Sequence, residues 1–231
     1  MNELLFFMHT LIIIGMTFGA LRLGKEALIA LIALFAVFAN LFVLKQTILF
    51  GLMVTCSDVF SVGCILGLNL IQEVFGKEEA KKACIISFFA MAVFAILSQI
   101  HLYYQQISLD SYQAHYEALF SMAPRLIIVS LATFYIVQRI DLLVYGTLKN
   151  VIKSWQLASA ISLIIVQFID TALFTFFGLY GIVEDIGSVI VFSYLIKVLV
   201  IITLSLSTLA MNRFFSFSID KNRQIRDDGI M

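Results

Sequence analysis

Two five-residue stretches of this sequence place a glutamine and an aspartate three residues apart inside long apolar runs. VQRID contains Gln138 and Asp141, and VQFID contains Gln167 and Asp170. Residues three apart are neighbours on one face of a helix, so each stretch sets an amide beside a carboxylate. Carboxylates accept hydrogen bonds, and amides both donate and accept them. Such a face can bind a polar solute or hydrogen-bond a neighbouring helix.

The composition of the chain places these polar groups in a membrane. Of 231 residues, 61% are hydrophobic, 13% are charged and one is proline. The apolar runs are continuous and long enough to span a bilayer, which favours helices over the short alternating strands of a membrane barrel. The expected fold class is an all-α integral membrane protein, a polytopic bundle of about 6–7 transmembrane helices. The net charge of zero gives no reason to expect a nucleic acid partner, so the lipid bilayer is the expected surrounding.

Apolar segments predict seven helices along the chain. The third is long for a single crossing and has a polar centre, Thr55-Cys56-Ser57-Asp58, which predicts a kink or partial unwinding. The whole is expected to form one transmembrane domain over 1–217, followed by a charged cytoplasmic tail over 218–231. The predicted helices cover 4–21, 27–45, 47–73, 83–102, 123–147, 155–180 and 187–211.

The positive charges predict the orientation of the chain. All lysines and arginines except Lys45, Arg125 and Lys197 lie in the tail, or in or near the connections that follow the first, third and fifth predicted helices. The opposite connections, 103–118 and 181–186, contain none. Positively charged connections stay on the cytoplasmic side. The N-terminus is therefore expected outside and the C-terminus in the cytoplasm.

Three ionisable residues are predicted at one depth near the middle of the membrane. Counted from the outer ends of their predicted helices, Asp58, Asp170 and Lys197 lie about 15–16 Å deep, in a hydrocarbon core of roughly 30 Å. Such residues are costly in a membrane and are candidates for function. Gln167 shares a helix face with Asp170. An ion pair between Asp170 and Lys197, or an interhelical hydrogen bond from Gln167, is the structural alternative.

A second set of polar residues is predicted to form a gate or a path. Asn69 and Glu73 continue the face of Asp58 towards the cytoplasm, whereas Asp141 lies about 27 Å deep, near the cytoplasmic surface. Glu73 could instead belong to a solvated helix end, and Asp141 could pair with Arg139 at the interface. The set consists of Asn69, Glu73, Gln138, Asp141, Lys45 and Arg125.

No pattern for catalysis, metal binding or ATP binding accompanies these residues. The sequence has no HExxH or GxSxG motif, and His9, His101 and His115 are scattered. The chain is therefore not expected to be an enzyme or to hold a metal or cofactor. Carboxylate, amide and ammonium groups among Phe-rich helices favour instead a transport site for a small, planar, polar solute.

The stretch Gly67–Lys82, GLNLIQEVFGKEEAKK, resembles the signature of the queuosine precursor transporter family, the vitamin uptake transporter type. Glu73, Phe75 and Gly76, with the alanine at position 80, match it, and Asn69 stands where the family usually has Asp. The similarity extends over roughly 36–205. It also rests on Asn40, Lys45, Ser130, Gln138, Asp141, Ser159, Gln167, Asp170, Phe174 and Lys197.

The resemblance implies uptake of a 7-deazaguanine base, a precursor of the tRNA nucleoside queuosine, across the bacterial inner membrane. The cyano form preQ0, the aminomethyl form preQ1 and queuine are the candidate substrates. It also implies a single-polypeptide secondary transporter, with a homo-oligomer left open. The alternative is the substrate-binding subunit of an energy-coupling-factor-type importer of vitamins or nucleobases.

The resemblance also suggests how the base would be held. Asp170 or Asp58 would accept the N–H groups of a guanine-like edge, because a carboxylate accepts hydrogen bonds in pairs. Gln167 and Asn40 would contact the ring carbonyl or nitrogens, and Phe174 would stack on the ring. The expected substrate-binding residues are thus Asp170, Gln167, Asp58, Lys197, Asn40 and Phe174, with the lysine balancing charge.

Overall fold

A computed structural model describes residues 1–105, 112–152 and 155–202. The predicted tail over 218–231 and the end of the predicted helix 187–211 lie outside the described residues. Within these ranges, the structure describes the side chains of all residues except Glu73, Gln138, Leu142, Lys149, Trp155, Gln156 and Ser159.

The described chain is mostly helical, with one short β-hairpin. Its elements are α1 Asn2–Leu23, α2 Lys25–Phe42, β1 Gln46–Leu49, β2 Leu52–Thr55, α3 Asp58–Phe75, α4 Lys77–Leu102, α5 Gln113–Phe120, α6 Ala123–Val151, α7 Trp155–Leu179 and α8, described over Ile186–Ile202. Within the described ranges, five helical stretches are long and apolar enough to cross a membrane: α1, α2, α4, α5 together with α6, and α7. The apolar helices α3 and α8 are shorter in their described parts. The chain is therefore a multi-pass helical membrane protein.

The prediction of one helix over 47–73 is wrong in its first part. There β1 pairs with β2 in an antiparallel hairpin, with Gln46 opposite Thr55. Phe50 and Gly51 form the two-residue turn with φ of 52° and 80°, the positive values that a tight hairpin turn requires. A short apolar run with β-branched residues suits a strand as well as a helix, so hydropathy alone did not separate the two.

The hairpin packs against the first and last described helices. Leu49 and Val54 are buried in a cluster with Phe192 of α8, and Phe6 of α1 packs against it. These contacts join residues far apart in sequence, which explains why a local pattern did not reveal them. The hairpin therefore bridges α1 and α8.

The base of the hairpin determines where Asp58 lies. The backbone N–H of Cys56 donates to the carbonyl of Lys45 at 2.8 Å, which brings the two ends of the hairpin together. Asp58 follows in the first turn of α3. Its depth thus cannot be counted along a helix from position 47, because the chain before it forms β1 and β2.

Helix α2 packs on α1, α3, α4 and α6, and glycines let α3 approach it closely. A Cβ atom added at Gly67 would lie 2.6 Å from Cγ1 of Ile32, and one at Gly63 would lie 2.6 Å from Cδ2 of Phe35. Real Cβ atoms do not approach other atoms so closely, so these two glycines permit the contact between α2 and α3.

A second cluster joins α2 to the later helices. It contains Val43 after α2, Leu126 of α6, Leu179 at the end of α7, Val183 of the following turn and Val189 of α8. We call these five buried residues the apolar seal. Because it includes the end of α7 and the start of α8, it lies at the end of the bundle where these two helices are connected.

The start of α8 is held by an aspartate cap. The backbone N–H of Ser188 donates to Oδ1 of Asp185 at 3.0 Å, and the Ser188 hydroxyl donates to Oδ2. These hydrogen bonds hold the pKa of Asp185 below its usual value, because they stabilise the carboxylate. The cap satisfies a backbone N–H in the first turn of α8 that helical hydrogen bonds leave unpaired.

Other helix boundaries differ modestly from the predicted ones. Helix α4 begins at Lys77, not at 83, because the charged segment continues the helix with ion pairs three residues apart, such as Lys81 with Glu78. Helix α2 ends at Phe42, and α6 continues to Val151. The predicted polar connection 103–118 contains most of the short helix α5.

Candidate solute-binding site

A cavity of about 150 Å³ lies between α2 and α3 on one side and α6, α7 and α8 on the other. We call it the main cavity. Each of the two helix groups contributes polar side chains, so the cavity is suited to a solute that both donates and accepts hydrogen bonds. It is lined by Ala39, Asn40, Val43, Ser57, Ser61, Ser130, Thr133, Asp170, Phe174 and Lys197.

A smaller cavity of about 50 Å³, the side cavity, adjoins the main one. The two share Val43, Ser57, Ser61, Phe174 and Lys197 in their walls. The remaining lining of the side cavity is mainly one carboxylate and several hydroxyls. Those residues are Thr55, Asp58, Thr171, Thr175, Leu179, Val189 and Ser193.

Asp170 and Lys197 form an ion pair in the wall of the main cavity. Nζ of Lys197 lies 2.8 Å from Oδ2 of Asp170 and donates a second hydrogen bond to Oγ1 of Thr171 at 3.0 Å. The side chain of Lys197 is 13% exposed, and that of Asp170 is 29% exposed. The contact joins α7 to α8 and cancels one negative charge against one positive charge.

Asn40 presents an unpaired acceptor at the main cavity. Its Nδ2 donates to the carbonyl of Ala36 at 2.9 Å and lies 2.8 Å from Sδ of Met91. These contacts orient the amide, and its buried Oδ1 has no hydrogen-bond partner among the described residues. Leaving a buried acceptor unpaired is costly, and an N–H group of a ligand would satisfy it.

Asp58 presents a second unpaired acceptor, at the side cavity. The residue is only 3% exposed, and within the described ranges its Oδ2 has no hydrogen-bond partner. It lies beside Ser193 and near enough to Lys197 to be affected by its charge. The N-terminus of α3 carries a partial positive charge that favours a carboxylate in the first turn.

The glutamine of the second pentapeptide, VQFID, is not part of either cavity wall. Gln167 is half-buried on α7, about one turn from Asp170, and lines neither cavity. Glu73 lies on α3 and Gln138 on α6, and their side chains are outside the described residues. Their predicted roles in a path therefore stay predictions.

The remaining residues expected to form a gate or path are dispersed. Arg125 donates to the carbonyls of Phe177, at 3.2 and 3.0 Å, and Tyr180, at 2.9 Å. It thereby satisfies carbonyl groups at the C-terminal end of α7, which helical hydrogen bonds leave unpaired. Lys45 is exposed at the base of the hairpin, and Asn69 is half-buried on α3 and lines neither cavity.

The first pentapeptide connects two helices. The hydroxyl of Ser162 on α7 donates to Oδ1 of Asp141 on α6 at 2.6 Å. Arg139 does not pair with Asp141 as the interfacial alternative suggested; its guanidinium contacts Tyr135, with Nη2 at 3.3 Å from the hydroxyl. The two VQxID copies therefore have different surroundings, one between helices and one in the cavity wall.

Comparison with known proteins identifies the family. Residues 55–211 match the family described as "Putative vitamin uptake transporter". The match spans more than half of the chain and includes α3 to α8. The chain belongs to the vitamin uptake transporter family. The family is by name one of transporters and not of enzymes.

One relative carries a more specific name. A protein of Bacillus subtilis (strain 168) named "Probable queuosine precursor transporter" is 31% identical over 182 residues, which cover 75% of this chain and 78% of that protein. The resemblance to the queuosine precursor transporters, inferred from the motif that begins at Gly67, is thus confirmed. No solved structure matches the chain significantly.

In this member of the vitamin uptake transporter family, hydroxyl side chains supply much of the cavity wall, although none of them is among the residues predicted to bind the solute. Their spacing was the available signal, since they recur three or four residues apart on one helix face or beside a charged residue. Serine and threonine often bond their own helix backbone in membranes, so the signal was ambiguous. The pairs are Ser57 with Ser61, Ser130 with Thr133, Thr171 with Thr175, and Ser193 with Lys197.

Proposed function

We propose that this chain imports a queuosine precursor, a 7-deazaguanine base, through the bacterial cytoplasmic membrane as a single-polypeptide secondary transporter. The observation that carries the proposal is the main cavity between two groups of helices, whose wall includes an ion pair and Asn40, a residue with an unpaired amide oxygen. The name of the relative from Bacillus subtilis supports the substrate class.

The chemistry of the cavity wall suits a guanine-like ring. Such a ring presents N–H donors on one edge and a carbonyl acceptor beside them. Asp170 can accept the donors while keeping its contact with Lys197, because each carboxylate oxygen has more than one acceptor position. Oδ1 of Asn40 can accept a further N–H group, and Phe174 offers a ring face for stacking.

The arrangement of helices also suits alternating access. We place the N-terminus and the apolar seal on the outer side, following the distribution of positive charge. With this placement the buried side chains of the seal would block the outer end of the bundle, and transport would require the two helix groups to separate there and re-close. A solute bound between the groups is then carried from one side to the other.

An uptake assay tests the proposal. A bacterial strain that lacks both its own transporter and the synthesis pathway for queuosine precursors should accumulate a radiolabelled 7-deazaguanine base only when it expresses this chain. Unlabelled 7-deazaguanines should compete for uptake, whereas adenine should not. Correct membrane expression without any uptake of the three candidate bases would contradict the proposed substrate class.

The purified chain distinguishes a secondary transporter from the subunit of an ATP-driven importer. Reconstituted alone in liposomes, it should move the base without added nucleotide. A strict requirement for copurifying ATPase subunits would instead support the energy-coupling-factor alternative.

A further inference from the structure

The side cavity is too small for a ring and has one dominant polar group. At about 50 Å³ it has room for a short substituent of a solute bound in the adjoining main cavity. Its wall holds the carboxylate of Asp58, whose Oδ2 is buried and has no hydrogen-bond partner in the described part of the chain. Hydroxyls of Thr175 and Ser193 lie in the same wall.

The charges around the two cavities do not balance. Among the described lining residues, the charged ones are Asp58, Asp170 and Lys197. Lys197 lies 2.8 Å from Asp170 and its charge also acts on Asp58, so one positive charge faces two carboxylates and the walls keep an excess of one negative charge. A buried carboxylate is stabilised by a positive charge and by hydrogen-bond donors.

From these observations, and resting on the proposed function, we infer that the side cavity binds a positively charged amine arm of the transported base. The preferred cargo is then a 7-deazaguanine that carries an aminomethyl group, in its ammonium form, and not the neutral cyano form. Asp58 is the residue that makes this selection. It acts on the substituent, whereas Asn40 and Asp170 in the main cavity act on the ring.

The chemistry of the two substituents supports this selection. A primary ammonium group donates three hydrogen bonds and can be satisfied by Oδ2 of Asp58 together with neighbouring hydroxyl oxygens. A nitrile only accepts hydrogen bonds, so it would leave Oδ2 of Asp58 buried and without a donor. The shared wall, which includes Ser57, Ser61 and Phe174, allows one solute to occupy both cavities.

A free monovalent cation could supply the same positive charge beside Asp58. In that case the cation would support binding of the neutral base, and binding would depend on the salt present. The substituent and the salt can be varied independently, so these two sources of charge are distinguishable.

The test measures the affinity of the full-length chain in lipid nanodiscs for the cyano and aminomethyl bases, in choline chloride and in sodium chloride. We expect the aminomethyl base to bind roughly ten- to hundredfold more tightly in both salts, the range that a charge-assisted hydrogen bond provides. Equal affinities, a preference for the cyano base, or tight binding of the cyano base only in sodium would overturn the inference. Binding of neither base would overturn the proposed function itself.

A substitution at Asp58 tests whether this residue causes the preference for the aminomethyl base. Asp58→Asn should lower the affinity for the aminomethyl base to that for the cyano base while changing the cyano affinity little. Asp141→Asn, which alters an aspartate outside both cavities, should keep the wild-type ratio. An equal loss of both affinities in Asp58→Asn would overturn the role of Asp58. If that variant does not fold, the ratio of the two affinities in the wild-type chain still shows whether the aminomethyl base is preferred.

Discussion

The ion pair of Asp170 with Lys197 has two explanations at the scale of single residues: it can hold α7 to α8, or it can bind the solute. Both side chains are largely shielded, so removing one partner leaves an uncompensated charge in a poorly solvated place, which typically costs about 3–5 kcal/mol. Replacing both partners with uncharged residues avoids that cost. The two explanations therefore predict different behaviour of single and double variants.

We expect Asp170→Asn to lower the melting temperature of the purified chain and abolish uptake. Adding Lys197→Met should recover most of the melting temperature, because no unpaired charge remains, but should not recover uptake. Thermal unfolding in detergent and radiolabelled base uptake measure the two effects. If the double variant transports at the wild-type rate, the pair is structural and does not contact the solute.

At the scale of elements, the positions of α3 and α7 depend on close contacts that hydropathy does not report. Gly67 lets α3 lie against Ile32 of α2. Arg125 of α6 contacts carbonyls at the end of α7, including that of Tyr180. Neither residue lines a cavity described here, so both should affect stability more than affinity.

Gly67→Ala should destabilise the chain by about 1–3 kcal/mol, the usual effect of adding atoms to a packed contact. Gly19→Ala on α1 is the matched control, because its added Cβ would meet no atom within 4 Å, and it should be neutral or slightly stabilising. Melting temperatures of the two variants provide the measurement. Equal melting temperatures would show that α2 and α3 are not in close contact at Gly67.

Arg125→Met should lower stability by about 1–3 kcal/mol, since it leaves carbonyl groups at the end of α7 without their donor. The affinity for the base should change less than twofold, roughly the scatter expected for a residue outside the site. The control is Arg22→Met, at an exposed position near the end of α1. A large loss of affinity with an unchanged melting temperature would instead support the predicted role of Arg125 in the transport path.

At the scale of the whole molecule, the proposed alternating access gives a role to the apolar seal, the contact where α2, α6, α7 and α8 come together. The contact between α2 and α3 is different, because glycines pack it closely within one group of helices. The first contact must open during alternating access, whereas the second can stay closed throughout.

Cross-linking tests this difference. In a chain whose native cysteines are replaced by serine, Val43→Cys with Val189→Cys should allow an oxidative or short bifunctional cross-link across the seal. Cross-linking should stop uptake, and a reductant should restore it where the bond is a disulfide. The control pair, Ile32→Cys with Gly67→Cys, removes the Ile32 atoms that an added Cβ would meet, and it should keep transporting when cross-linked. Full uptake by the chain cross-linked at the seal would exclude separation of the helices there.

The sequence by itself determined the membrane location, the apolar helical segments and the family. These follow from local properties: hydropathy over about twenty residues predicts a spanning helix, and a motif such as the one beginning at Gly67 lies within a single stretch. The residue types at Asp170 and Lys197 also suggest a contact, because both lie at a similar distance from the helix ends predicted at 180 and 187, which are each within one residue of the observed ends.

Only the tertiary structure decided the hairpin, the position of Asp58 and the hydroxyl-lined wall. A short apolar run can form either a strand or a helix. The packing of Val54 against Phe192 of α8, 138 positions later in the sequence, favours the strand here. Arg125 could not be recognised as a cap before the end of α7 was located. A cavity between helices is defined by long-range contacts, which local spacing does not encode.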